Sequence, residues 1–209
     1  MNYQQIKDSL IRWVPTPELA NTFAEWIVKY RVKVVVTGSR KTKRGTYMPP
    51  QRGYGHKITI NHDLNPYGFV VTFIHEMAHL ITWDTHQNNV KPHGIEWKNN
   101  FKALISPFLN KKFFPDDILQ QLINYMDNPA ASSCSDAGLI KVLDRYNEEQ
   151  DGLTYLEDLP ISAVFSLKDG RVFKKLGKLR KYYQCEERKT KTMYRISPVA
   201  RVKHLDASL

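Results

Sequence analysis

The stretch from about Tyr67 to Trp83 is almost wholly apolar, and it constrains the fold more than any other feature of the sequence. An apolar run of this length predicts a buried helix, because strands are usually much shorter. Polar residues interrupt it at His75, Glu76 and His79, and no stretch of the chain approaches the roughly 18 uninterrupted apolar residues of a membrane span. Polar side chains on a buried helix are costly unless they are paired or bind a ligand.

The spacing of these polar residues indicates a metal site. His75 and His79 are four residues apart, so both imidazoles project from one helical face and can bind the same ion. Glu76 lies roughly 100° around the helix from His75, which places its carboxylate beside a metal-bound water. Zinc lowers the pKa of such a water to roughly 7, and a carboxylate can accept its proton as the hydroxide attacks a carbonyl. The segment therefore predicts a zinc-dependent hydrolase with Glu76 as the general base.

A catalytic zinc usually has three protein ligands, so a third ligand must come from elsewhere in the chain. His93 is the favoured candidate, because it follows a loop long enough to fold back and precedes the next helix. Glu96 is the alternative, in which a second helix supplies a carboxylate. His86 is a weaker candidate, since it lies one residue beyond Thr85, where one known arrangement places its third histidine.

Two parts of the chain differ in their patterns, and we predict a domain at 1–150 and a small basic β subdomain at 151–209. The overall class is α+β. The periodicities predict these elements in the first part: helices at 3–14, 16–30, 67–83, 94–108, 115–127 and 137–148, strands at 31–36 and 56–61, and a long surface loop or loose hairpin at 38–55. The second part has four predicted strands, at 161–167, 172–176, 181–186 and 193–199.

Positive charge is concentrated in two segments of the chain, whose net charge is +10. Residues 31–60 contain eight Lys/Arg and no Asp/Glu, and residues 161–209 contain thirteen Lys/Arg and four Asp/Glu. Such segments can bind DNA or another polyanion. The alternative is that these side chains are simply solvated on exposed strands and loops.

The cysteine content and the N-terminal residues favour a cytoplasmic protein. Cys134 and Cys185 are the two cysteines, far apart and without a spacing pattern, so a disulfide framework is not expected. Residues 1–8 contain no apolar segment of the kind found in secretory signals.

The motif HEMAH, followed 14 residues later by the histidine of PHGIEW, resembles the SprT-like family, which includes the Spartan proteases of DNA–protein crosslink repair. The basic residues 39–47 and the strand at 56–61 are similar to the family's basic hairpin before its active-site helix. The similarity spans roughly residues 1–125, with a family-like tail at 161–203. It implies a zincin-like fold, a zinc ion held by His75, His79 and His93, and Glu76 as the catalytic residue.

The tail departs from the family pattern. Many members end in a zinc ribbon with four cysteines, whereas this tail has Cys185 alone, and Arg188 stands where a CxxC partner would be. We therefore expect a degenerate, ribbon-like β module that binds no metal. We expect five residues to form its core: Phe173, Tyr182, Tyr183, Tyr194 and Ile196.

The combined prediction is a zinc metalloendopeptidase with one Zn²⁺ per chain and a small antiparallel sheet packed on helices. Residues 57–61 are the predicted edge strand, to which an extended substrate peptide could add. One alternative is a nucleic-acid-associated binding module with a structural or vestigial zinc site, although a buried Glu76 has no use in such a site. Another is a zinc hydrolase of small-molecule amides. The sequence leaves three candidates for the oxyanion stabiliser: Tyr47, Tyr54 and His86.

Overall fold

The computed structural model describes residues 2–40, 43–127, 129, 136–147 and 152–205. The chain divides into two compact units, Met1–Asn147 and Glu148–Leu209. Cys134, one of the two cysteines considered above, lies outside the described residues. Within the described ranges, no helix has both the length and the apolar character needed to cross a membrane.

The first unit is mainly helical. Its described α-helices are α1 (Tyr3–Leu10), α2 (Pro17–Lys29), α3 (Pro66–His86), α4 (Ile95–Ile105), α5 (Asp116–Asp127) and α6 (Ala137–Asp144). The start of α3 is fixed locally, because the Asn65 side chain accepts a hydrogen bond from the Gly68 N–H over 2.9 Å and Pro66 occupies the first turn. The predicted central helix is confirmed, and it extends three residues further than expected.

A three-stranded sheet packs on α3. Its strands are β1 (Lys33–Thr37), β2 (Gly45–Met48) and β3 (Lys57–Asn61), in the order β1-β3-β2. The prediction of an antiparallel sheet was wrong, because β1 pairs with β3 in parallel while β2 pairs with β3 antiparallel. The prediction that residues 57–61 form the edge was also wrong, since β3 is central. Residues 38–55, expected to be a loop or loose hairpin, contribute the edge strand β2.

The core of the first unit forms where α3 meets the sheet and α2. Ile58 and Ile60 of β3 are fully buried on one face, and Thr59 and Asn61 on the other face are also buried, as expected for a central strand. Phe73 of α3 packs against Phe23 of α2 with ring centroids 4.2 Å apart. Each such buried side chain contributes roughly 1.5–3 kcal/mol. This packing fixes the rotation of α3 and therefore the direction of its polar residues.

The second unit is a six-stranded antiparallel sheet in the order β4-β9-β5-β6-β7-β8. The strands are β4 (Leu153–Tyr155), β5 (Val164–Ser166), β6 (Val172–Lys178), β7 (Tyr183–Glu187), β8 (Met193–Ile196) and β9 (Arg201–Leu205). The sequence analysis missed β4 and β9. Phe173 and Tyr183 lie in the core as predicted, with Tyr194 and Ile196 packed against it. Tyr182 does not, because it is 45% exposed.

A buried lysine ties this second unit together. Lys175 is only 2% exposed, and its Nζ donates hydrogen bonds to the carbonyls of Leu156 (2.8 Å) and Leu159 (2.5 Å). The same ammonium lies 3.8 Å from the ring centroid of Tyr183. Burial lowers the pKa of Lys175. Its bonds link the turn at 156–159 to the sheet and satisfy carbonyls that would otherwise lack partners.

Candidate metal centre and active site

Two of the predicted ligands lie on one face of α3. His75 and His79 are one helical turn apart, and their ring centroids are separated by 5.0 Å. His75 is only 6% exposed, so its ring is held among packed side chains. The four-residue spacing thus places both imidazoles side by side, as the sequence predicts.

His93 reaches the same place through a tight turn before α4. Lys91, Pro92, His93 and Gly94 form this turn, closed by a 2.8 Å hydrogen bond from the Gly94 N–H to the Lys91 carbonyl. Proline at the second position and a positive φ at the third (58° for His93) are features of a type II turn. A positive φ is unusual for histidine, and this backbone conformation directs the ring towards α3.

The three imidazoles converge on a common point. One ring nitrogen from each of His75, His79 and His93 lies within 4.8 Å of the other two. Nε2 of His93 and Nε2 of His75 are 3.3 Å apart. Two nitrogens each about 2.05 Å from one zinc ion, at a tetrahedral angle, would be separated by about 3.3 Å. Neither His86 nor Glu96 belongs to this group.

Trp97 supports all three histidines, a role that the sequence analysis did not assign. Its ring centroid lies 4.6 Å from that of His75, 5.4 Å from that of His79 and 4.7 Å from that of His93. The indole is 1% exposed and stacks on Phe101 at 5.2 Å. Trp97 lies in the first turn of α4, directly after the turn that carries His93, and no local spacing in the sequence indicated its contacts with His75 and His79.

The electrostatics keep these imidazoles neutral. Burial, with smaller effects from the other two rings, lowers the pKa of His75 well below its usual range. Burial and then the neighbouring His93 lower the pKa of His79 to about 3, and burial also lowers the pKa of His93. A neutral imidazole offers the lone pair that a metal ligand requires.

Glu76 is held between α3 and β2. The backbone N–H of Tyr47 faces the Glu76 carboxylate and favours the ionised form. Gly45, two residues earlier on the same strand, leaves room for the side chain, since a Cβ there would be 2.7 Å from Oε1 of Glu76. Burial raises the pKa of Glu76 to about 7, against the opposing effects of the Tyr47 N–H, Arg40 and Lys43. A bound cation would favour the ionised carboxylate.

Tyr47, one of the three candidates for oxyanion stabiliser, is engaged by its side chain elsewhere. Its hydroxyl lies 2.8 Å from Nδ1 of His56, and Nε2 of His56 lies 3.3 Å from Oδ1 of Asp84. The Tyr47 hydroxyl is therefore engaged with His56, beside the Asp84 carboxylate. The second candidate, Tyr54, is 79% exposed, and the third, His86, ends α3.

The residues present fit a bound metal ion. Nε2 of His75 faces Nε2 of His93 at 3.3 Å, so nitrogens that can each present a lone pair meet in a buried site. Such a buried arrangement is costly, and a cation shared by the three lone pairs removes much of that cost. Three imidazoles suit zinc, which commonly takes histidine nitrogens.

Comparison with known protein families gives a match for one part of the chain. Residues 18–112 match the family model described as the SprT-like family, and this range contains α3, His93 and Trp97. The family resemblance drawn from the sequence motifs is thereby confirmed. The match does not reach the tail at 161–203. No curated protein and no solved structure matches the chain.

Proposed function

We propose that this chain, whose residues 18–112 match the SprT-like family, is a zinc metalloendopeptidase that hydrolyses peptide bonds in proteins. The observation that carries the proposal is the convergence of His75, His79 and His93 beside Glu76. Three neutral ligands and one carboxylate are the set that zinc-dependent peptide hydrolysis requires. A purely structural site would have no use for the carboxylate.

The proposed roles follow from the position of each side chain. His75, His79 and His93 would hold one Zn²⁺, which when bound supplies Lewis acidity and lowers the pKa of water to about 7. Glu76 would accept the proton of the attacking water and later pass it to the leaving amine. The Tyr47 N–H keeps the carboxylate oriented during this transfer. Trp97 excludes water from the far side of the imidazoles.

We expect the substrate to bind as an extended segment alongside β2, which is the edge strand next to Glu76. The Asn61 N–H donates to the Arg44 carbonyl over 2.8 Å, so Thr46 and Met48 also direct their backbone groups towards β3. The backbone groups of Gly45 and Tyr47 then face outwards. The Tyr47 N–H is directed at Glu76, so we expect the other outward groups of β2 to pair with a substrate strand. Such pairing reads backbone and not side chains, which favours flexible segments of many sequences.

The decisive experiment compares the wild type with Glu76→Gln on unfolded casein. We expect the variant to keep stoichiometric zinc, measured by mass spectrometry of the metal, and to lose at least about 100-fold in cleavage rate, because an amide cannot accept the proton. Full activity in Glu76→Gln would exclude this mechanism. The wild type is tested with and without DNA. If it contains zinc but cleaves no casein in either case, the alternative of a zinc-containing binding module is favoured.

We also propose that nucleic acid is a partner, through the basic segments 31–60 and 161–209. The first segment has fewer available charges than its composition implies. Arg40 bonds to the side chains of Asn61 and Thr59, and Arg44 lies 3.6 Å from Asp144. Those two arginines serve the fold of the first unit, so we expect most of the contact to come from the second segment.

A further inference from the structure

The second unit contains a small basic cleft on one face of its sheet. Three of its lining residues are cations and one carries a hydroxyl group. The cleft is lined by Leu153, Ser166, Leu167, Lys168, Arg201 and Lys203. No Asp or Glu is among these described residues. A concave site with three positive charges and a hydroxyl donor has the composition of an anion site.

The strand register explains why these cations lie together. Arg201 and Lys203 flank the fully buried Val202 on β9, so both side chains project from the opposite, exposed face. Lys203 lies directly between Leu153 of β4 and Ser166 of β5. The pairing thus brings together residues separated by about fifty positions in the chain.

The cations of the cleft have no competing carboxylate among the described residues. Asp169 follows Lys168, but its carboxylate is paired with Arg171 at 3.0 Å. No ion pair joins a described acid to Lys168, Arg201 or Lys203. These charges are therefore available to a ligand.

Arg201 is also held in place. Its guanidinium lies 4.8 Å from the ring centroid of Tyr155, which pairs with it across β4 and β9. Stacking of this kind restricts the side chain and leaves the edge of the guanidinium, with its N–H donors, free for hydrogen bonds. A partly ordered arginine loses less entropy when it binds an anion.

We propose that this cleft binds a phosphate group of a nucleic-acid strand, with Arg201, Lys203 and Lys168 as ligands and the Ser166 hydroxyl as a further donor. Neighbouring strands lie about 4.8 Å apart, and the same face carries Lys174 on β6 and Arg195 on β8, roughly 10 and 20 Å further across the sheet. Glu186 of β7 also lies on this face, opposite Lys174, and its carboxylate is paired with Lys191 at 3.3 Å. A row of cations matches the repeated phosphates of a polyanion better than one small anion. The proposal deepens the nucleic-acid association given above and is independent of the peptidase.

The test measures binding of a short fluorescein-labelled oligothymidylate to the full chain by anisotropy over a series of salt concentrations. We expect the double variant Arg201→Gln/Lys203→Gln to bind at least about tenfold more weakly and to lower the slope of log K against log salt by about two. The matched control is Arg180→Gln/Lys189→Gln, which removes one arginine and one lysine from the exposed turns on either side of β7. The control should bind like the wild type.

A second experiment measures the thermal unfolding of the full chain in inorganic phosphate and in chloride at equal ionic strength. In one outcome, phosphate stabilises the wild type but not the cleft variant, and neither protein binds the oligonucleotide. This result would assign the cleft to a small phosphate and contradict the nucleic-acid association. If the cleft variant and the control variant weaken oligonucleotide binding equally, the cleft is not the binding site. The proposed association with nucleic acid would then remain. Binding of neither probe would overturn both. The circular dichroism spectrum and the unfolding temperature of the cleft variant in chloride should equal those of the wild type, which reports that the chain is folded.

Discussion

Gly45 lies against the side chain of Glu76 so closely that a methyl group on the glycine would stand 2.7 Å from Oε1. The same methyl group would also be 2.7 Å from Cγ2 of Thr72, so neither neighbour can move away easily. The short strand β2 therefore approaches α3 at this position only because it carries glycine. Strand β2, along which we expect the substrate to bind, therefore also fixes the position of the Glu76 carboxylate.

We predict that Gly45→Ala keeps zinc and reduces peptide cleavage by about 10- to 100-fold, because displacement of a catalytic group by about 1 Å is enough for such a loss. The effect should fall on kcat more than on KM, since Glu76 acts in the chemical step. Gly38→Ala is the matched control, because a Cβ at Gly38 meets no atom within 4 Å. A wild-type kcat in Gly45→Ala would mean that Glu76 does not need its observed position.

Metal content should depend on three histidines and on no other candidate. We predict that alanine at His75, His79 or His93 weakens zinc binding by more than the 10- to 100-fold typical of losing a supporting residue. His86→Ala and Glu96→Ala should retain one zinc per chain, because neither side chain belongs to the cluster. Metal analysis of each purified variant after dialysis is the measurement. Loss of zinc from Glu96→Ala with retention in His93→Ala would show that the third ligand is the carboxylate.

Arg40 should affect stability more than ligand binding. It donates hydrogen bonds to the Asn61 side chain (2.8 Å) and to the Thr59 and Thr46 hydroxyls (3.0 and 3.2 Å), and Asn61 is only 3% exposed. We predict that Arg40→Ala lowers the free energy of unfolding in urea by about 1–3 kcal/mol, since a buried acceptor loses its donor. Lys43→Ala, at an exposed neighbouring position, should change it by less than about 0.5 kcal/mol.

If Arg40→Ala instead proved as stable as Lys43→Ala and bound oligonucleotide more weakly, Arg40 would be a ligand-binding residue. That outcome would restore the first basic segment as the main contact with nucleic acid. The same titration on both variants decides the matter, because each removes one positive charge.

Cys185 should be unreactive in the folded protein. Its side chain is fully buried on β7, and burial raises the pKa of the thiol to about 11. At pH 8 only about one thousandth would be thiolate, the form that reacts with iodoacetamide. We predict that a Cys134→Ser variant is alkylated at Cys185 only after unfolding, with the native rate rising about tenfold per pH unit. Rapid labelling of the native variant at pH 8 would contradict the buried position of this strand.

The local part of the site was predictable from the sequence, because it depends on the helical repeat. A spacing of four positions from His75 to His79 places both rings on one face of any helix, and the apolar residues around them make that helix buried. Asn65 and Pro66 mark where α3 begins. Metal-ligand chemistry then required a third donor, and motif spacing favoured His93 over Glu96.

Only the tertiary structure decided which strands pair and what lies beside Glu76. Alternation shows that β3 has one buried face but not whether it is central or at an edge, because both positions produce the same pattern. Strand β2 is four residues long, begins with glycine and lies in a stretch rich in Gly, Pro and Lys/Arg, so no local signal distinguished it from a loop. Its pairing with β3 brings Gly45 and the Tyr47 N–H to the carboxylate.

Likewise, β4 and β9 are about fifty residues apart, and only their pairing places Lys203 between Leu153 and Ser166. Periodicity is a property of neighbouring residues. These contacts depend instead on the packing of residues that are far apart in the chain, and a short stretch of sequence does not determine the free energy of that packing.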